Sequence, residues 1–119
     1  MSNDTTPIDA NTYQQLCLRT AVSEVSPESS NDTRFLYTAL GLAGETGEYV
    51  DHVKKIAFQG HKIDKYKLLE ELGDIAWYLA IAAAANGFSL SSVFNMNIKK
   101  LRERYPDGFD PAKSINRKD

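Results

Sequence analysis

The sequence predicts an all-α protein, a four-helix bundle completed by oligomerisation, and three observations carry that prediction. Apolar residues recur at helical spacing in four segments, with no convincing run of period-two alternation between them. Helix-starting and helix-stopping residues fall at the borders of those segments. The third segment is apolar on more sides than a chain of 119 residues can cover by itself, which points to burial against a second subunit.

The first helix is expected over Asn11 to Val22, with Tyr13, Leu16, Cys17, Thr20 and Ala21 on one face. Ser23 to Asn31, with Pro27 and four serines, reads as a loop. A second helix is expected from Asp32 or Thr33 to about Phe58, placing Phe35, Ala39, Leu42, Thr46, Val50, Val53 and Ala57 on one side. Gln59 to Ile63, with Gly60, makes a turn. Asp64 is a suitable N-cap for a third helix through Ala85, which Asn86 and Gly87 stop. Leu68, Leu72, Ile75 and Leu79 share one of its faces, whereas Leu69, Trp77 and Ile81 lie elsewhere. Ser89 caps a fourth helix from Leu90 to about Tyr105, ended with the help of Pro106. Its stripe of Phe94, Ile98, Leu101 and Tyr105 is expected in the core. The expected organisation is a flexible N-terminus over 1–10, one domain over 11–109 and a polar tail over 110–119.

Hydrophobic residues make up 42% and charged residues 25%, the balance of a folding globular chain. Fourteen basic and sixteen acidic side chains leave a net charge of −2, which argues against general capture of a nucleic acid polymer or an anionic membrane. Cys17 is the only cysteine, so neither an intrachain disulfide nor a cysteine zinc site can form. Met1 to Asp9 lacks the order of a signal peptide, and no run approaches the roughly 20 apolar residues that span a bilayer. A cytoplasmic location without membrane contact is the expectation.

Glu45 and Glu48 stand three residues apart and therefore emerge about 60° apart, one turn along a single helix face. Glu71 and Asp74 repeat the spacing on the third helix, so antiparallel packing of the two helices brings four carboxylates together. Like charges this close oppose each other and call for a cation. An all-oxygen set suits magnesium, which shares its sphere with a substrate's phosphates. A single ExxE is ordinarily a solvated surface pair. Here Gly41, Gly44 and Gly47 interrupt the same helix, each costing about 1 kcal/mol relative to Ala, which places this face at a close contact with a helix or a ligand. A di-iron bundle would use ExxH motifs, and the chain has none. His52 follows Glu48 by four residues and reads either as a neighbour of the acids or as an ordinary interfacial histidine.

On the fourth helix Asn97, Lys100 and Arg104 form a polar row beside the apolar stripe. The row offers an amide for a base or sugar edge and two cations for phosphate, and its bland alternative is a solvated face. Lys54 and Lys55, about two turns past Glu48, are ambiguous in the same way.

Taken together, GLAGETGEYVDHVKK from Gly41 to Lys55, EELGDIAWYLA from Glu70 to Ala80 and NIKKLRERYPDGF from Asn97 to Phe109 resemble the MazG-like nucleoside triphosphate pyrophosphohydrolases. The family pattern is ExxE, a variable spacer and ExxD, and here 22 residues separate Glu48 from Glu71. The resemblance implies a MazG-like bundle hydrolysing (deoxy)nucleoside triphosphates between the α and β phosphates to a monophosphate and pyrophosphate, in nucleotide pool control. Carried over residue by residue, Glu45, Glu48, Glu71 and Asp74 would be the catalytic, metal-holding set for Mg2+, with Mn2+ as a substitute. Asn97, Lys100, Arg104, Tyr105 and Lys55 would contact the nucleotide. The resemblance further implies a homotetramer, as a dimer of dimers, or a homodimer. The alternative is a noncatalytic helical module that senses nucleotide or mediates an interaction. His52, His61 and the Ser23 to Asn31 loop fall outside the family motif.

Overall fold

A computed structural model describes residues 4–22 and 29–118, and within them the chain is helical with no strand. Among the described residues five helices follow in order: α1 (Ala10–Leu18), α2 (Asn31–Phe58), α3 (Lys65–Ala85), α4 (Leu90–Arg104) and α5 (Pro111–Ile115). Most of the expected Ser23 to Asn31 loop lies outside the described residues; of its end, Ser30 caps α2 and Asn31 is its first residue.

The caps follow from local chemistry. Asp9, Ser30, Asp64, Ser89 and Asp110 each accept a hydrogen bond from a backbone N–H in the first turn they precede. α3 stops where Gly87 takes φ of 78°, a conformation open to a residue without Cβ. α1 ends at Leu18, before the expected Val22. There the backbone tightens into three-residue turns from Arg19 to Leu16, Thr20 to Cys17 and Ala21 to Leu18. Trp77 Nε1 donates to Thr20 Oγ1 at 2.9 Å and fixes that turn against α3. Beyond Phe109, where a polar tail is expected, Asp110 and Pro111 start the five-residue α5.

The largest contact joins α2 and α3, an antiparallel pair connected through Gln59 to Asp64. Gly41 makes their close approach possible, because a Cβ there would lie 2.0 Å from the Tyr78 ring. The fully buried apolar core is small: Cys17, Ala80, Ile81 and Leu90, flanked by Tyr13, Ala21, Trp77 and Val93. It sits where α1 crosses the corner between α3 and α4. At its centre is a polar residue that hydrophobic patterning does not find. Gln14 Nε2 donates to the carbonyls of Ala80 and Phe88, both at 3.1 Å, and its Oε1 accepts from Leu90 N–H at 3.0 Å. One side chain thus satisfies both strands of the corner and fastens α1 across it.

Two expected core faces are not buried within the chain. Phe94, Ile98 and Leu101 on α4 are each at least 40% exposed, so none of the described elements covers that stripe. On α2, Phe35, Val50 and Val53 are likewise exposed, because α3 lies instead along the face of Thr38, Gly41, Leu42 and Glu45. Leu69 and Leu72 of α3 are exposed as well. The chain has an accessible surface of 8886 Å2, whereas a compact monomer of 13.3 kDa has about 6,450 Å2. Its radius of gyration is 17.3 Å, against about 13.5 Å for a compact domain of this length.

Replacing Gln14 with Leu leaves the Leu90 N–H and the Phe88 carbonyl without their buried partner. The substitution is expected to lower unfolding free energy by about 1–3 kcal/mol in urea denaturation at unchanged helical content.

Candidate active site

The seam between α2 and α3 collects the four predicted carboxylates. Glu71 is 6% exposed and Glu45 is half-buried, whereas Glu48 and Asp74 are exposed. Burial pushes the Glu45 carboxyl above the ordinary value of 4.5, and the charges of Glu48, Asp74 and Glu71 push it further the same way. Glu45 Oε2 and Glu71 Oε2 are both buried without a hydrogen-bond partner. Buried polar atoms are normally paired, so two orphaned carboxylate oxygens on one seam are an exception to that rule, and a cation is the kind of partner that would satisfy them. The donor set, all oxygen and all anionic, fits a hard divalent ion such as magnesium. Among the described residues no three His, Cys, Asp or Glu side chains stand as a ready group of ligands, so the acids share a seam without forming a finished coordination sphere.

Beside the acids lies an open groove of about 490 Å3. Glu48 and Glu71 line it, as do Asp51, His52, Lys55 and Lys67. Gly44 and Gly47 complete its lining, and a Cβ at either would meet nothing within 4 Å. The three glycines of α2 therefore divide by role: Gly41 admits the Tyr78 ring, while Gly44 and Gly47 keep the groove open. Asp51 binds Lys54 at 2.9 Å and Lys55 at 3.0 Å, and these hydrogen bonds hold its carboxyl down at about 2. Lys55 is the one predicted nucleotide contact that the chain places on this groove.

The remaining predicted contacts lie apart from it. Asn97 and Lys100 line a separate groove of about 380 Å3 with Phe88, Val93 and Met96. Arg104 ends α4 and is half-buried, and the Tyr105 ring packs on Phe109 with centroids 5.3 Å apart. No α4 residue lines the acidic groove. Sequence reasoning overlooked Lys67 entirely, although its place one turn before Glu71 puts it on the same row. His52 it left undecided; the structure puts that side chain in the groove.

Fold and site together define an all-α protein with paired carboxylates on one helix seam, and comparison with known families is more specific. Residues 34–109 match the MazG nucleotide pyrophosphohydrolase domain, and the chain belongs to that family. It is also 31% identical over 109 residues to the "Gene 37 protein" of Mycobacterium phage L5, across 88% of this chain and 96% of that protein. No solved structure matches the chain. Among the described residues no single helix is long and apolar enough to cross a membrane.

The raised Glu45 carboxyl makes a signed prediction. A group that binds its proton more tightly folded than unfolded favours the fold at low pH, and that contribution is lost as pH rises through the folded titration. In metal-free buffer Glu45→Gln is therefore expected to melt at the same temperature as the parent near pH 4. It should melt higher than the parent near pH 8, by relief of about 0.3 kcal/mol per like-charge pair or more. Thermal unfolding in chelator across that range measures the difference.

Proposed function

We propose that the chain hydrolyses (deoxy)nucleoside triphosphates between the α and β phosphates, releasing a nucleoside monophosphate and pyrophosphate. The observation that carries this reading is the acid seam, where buried Glu71 and half-buried Glu45 each leave an oxygen unpaired beside an open groove, in a chain of the MazG family. Glu45, Glu48, Glu71 and Asp74 are the residues to hold Mg2+, or Mn2+ in its place. The bound ion would supply charge neutralisation at the phosphates and acidity for the attacking water.

The chain's own part is positional. The four carboxylates would hold the ion, and a carboxylate oxygen of Glu45 or Glu48 receives the proton of the attacking water. Lys55, steadied by Asp51, presents a cation at the edge where a polyphosphate enters. Water oxygen bonds to the α phosphorus, the bond from that phosphorus to the bridging oxygen breaks, and its electron pair leaves with pyrophosphate. No protein nucleophile takes part. The reading places the enzyme in nucleotide pool control in the cytoplasm.

Asn97, Lys100, Arg104 and Tyr105 enter this scheme through assembly. α4 does not line the acidic groove of its own subunit, and the chain's surface exceeds that of a compact monomer by about 2,400 Å2. That excess is of the size an obligate interface buries. In a homodimer, or a tetramer built as a dimer of dimers, the polar row of one copy meets the acids of another.

Incubation with magnesium and each triphosphate separately, resolving monophosphate and assaying pyrophosphate against orthophosphate, tests the reaction. Pyrophosphate is the expected product, and Glu71→Gln is expected to lower turnover at least about a hundredfold with the helices intact. Orthophosphate as product, or nucleotide binding without turnover, contradicts the reading, the latter in favour of a sensing module. Sedimentation is expected to give a dimer or tetramer at micromolar concentration; a concentration-independent monomer contradicts the assembly.

A further inference from the structure

The antiparallel pairing of α2 and α3 sets the order of chemistry along their seam. Gly41 meets Tyr78, Glu45 senses Asp74, and Glu48 shares the groove with Glu71. Along each of these pairs the number falls on α3 as fast as it rises on α2, so the next level, one turn or about 5 Å further on, pairs His52 with Lys67. Both residues line the groove. The seam thus reads, from one end, as an aromatic closure, two levels of carboxylate and one level of nitrogen.

The nitrogen level is uncommitted. His52 Nε2 is buried with no hydrogen-bond partner, and Lys67 makes no ion pair among the described residues. Lys55, in contrast, is tied to Asp51. At the other end the Tyr78 ring fills the space over Gly41, whereas the open groove runs from Glu48 and Glu71 to His52 and Lys67, so a ligand held at those carboxylates has room in that direction. Two nitrogen donors about one helical turn from an acidic cation site match the spacing between a cation and the far phosphates of a polyphosphate chain bound to it.

Resting on the proposed pyrophosphohydrolase reading, we infer that His52 and Lys67 hold the β and γ phosphates, the half of the substrate that leaves as pyrophosphate. The nucleoside monophosphate half then lies away from this pair. In the reaction the bridging oxygen departs with the electron pair of the broken bond, and Lys67 and the His52 N–H face the group that gains this charge.

The test uses the full chain and inorganic pyrophosphate as probe, titrated calorimetrically with magnesium present. Magnesium alone and a nucleoside monophosphate are titrated in parallel. His52→Gln and Lys67→Gln are each expected to weaken pyrophosphate binding about ten- to hundredfold, with magnesium and monophosphate affinities and helical content unchanged, and Lys67→Arg is expected to recover most of the loss. Unchanged pyrophosphate affinity in both variants overturns the inference, as does a loss confined to monophosphate. A loss of magnesium affinity in step with pyrophosphate also overturns it, because it makes the pair a support for the cation site. Wild-type protein that releases pyrophosphate while both variants bind it normally refutes this assignment alone. Wild-type protein that neither releases nor binds pyrophosphate refutes the underlying reading together with it.

Discussion

The contact between α2 and α3 is the constraint on which the rest of the molecule depends. Those two helices could have met through leucine and valine, which α2 carries on its other side, yet they meet along the row of Thr38, Gly41 and Glu45. Packing this row places Glu71 in the interior and leaves two carboxylate oxygens without partners. Buried like charges oppose folding, and among the described residues no ion pair offsets them, since lysines 54 and 55 are bound to Asp51 and Lys67 lines the groove without an ion pair. The seam is thus poorly arranged for stability, and its all-oxygen, anionic donor set is the chemistry on which the proposed cation site rests.

The same choice explains why so much apolar surface faces outward. With the acid row turned inward, the apolar rows of α2 and α3 and the stripe of α4 are left exposed, and the enclosed core among the described residues lies at the α1 crossing. Gln14 fastens that crossing by hydrogen bonds instead of apolar contact. The proposed assembly would cover these rows with further copies of the chain and bring α4 to the acids.

Much of this was legible in the sequence, for reasons that are local. Asp64, Ser89, Asn86 with Gly87 and Gly60 act through their own backbone, so α3 and α4 begin where expected and α3 ends at Ala85. The ExxE and ExxD spacings depend only on helix geometry, so the acids could be placed on one seam before any contact was known. What failed was the choice of buried face. Hydrophobic periodicity reports which side of α2 or α4 is apolar, not whether another element of the same chain covers it, and in this chain those sides are exposed. Gln14 was invisible because its role lies in three hydrogen bonds to residues more than sixty positions away. Lys67 was missed because only the register of the two helices brings it level with His52.

The central claim is that this seam, and no other part of the chain, receives the divalent ion. Paramagnetic broadening of amide signals by substoichiometric Mn2+ in the full-length protein measures this most directly. The account predicts saturable broadening centred on Glu45, Glu48, Glu71 and Asp74 that excess Mg2+ reverses. Broadening centred elsewhere, or scattered over exposed acids without saturation or competition by Mg2+, would contradict it.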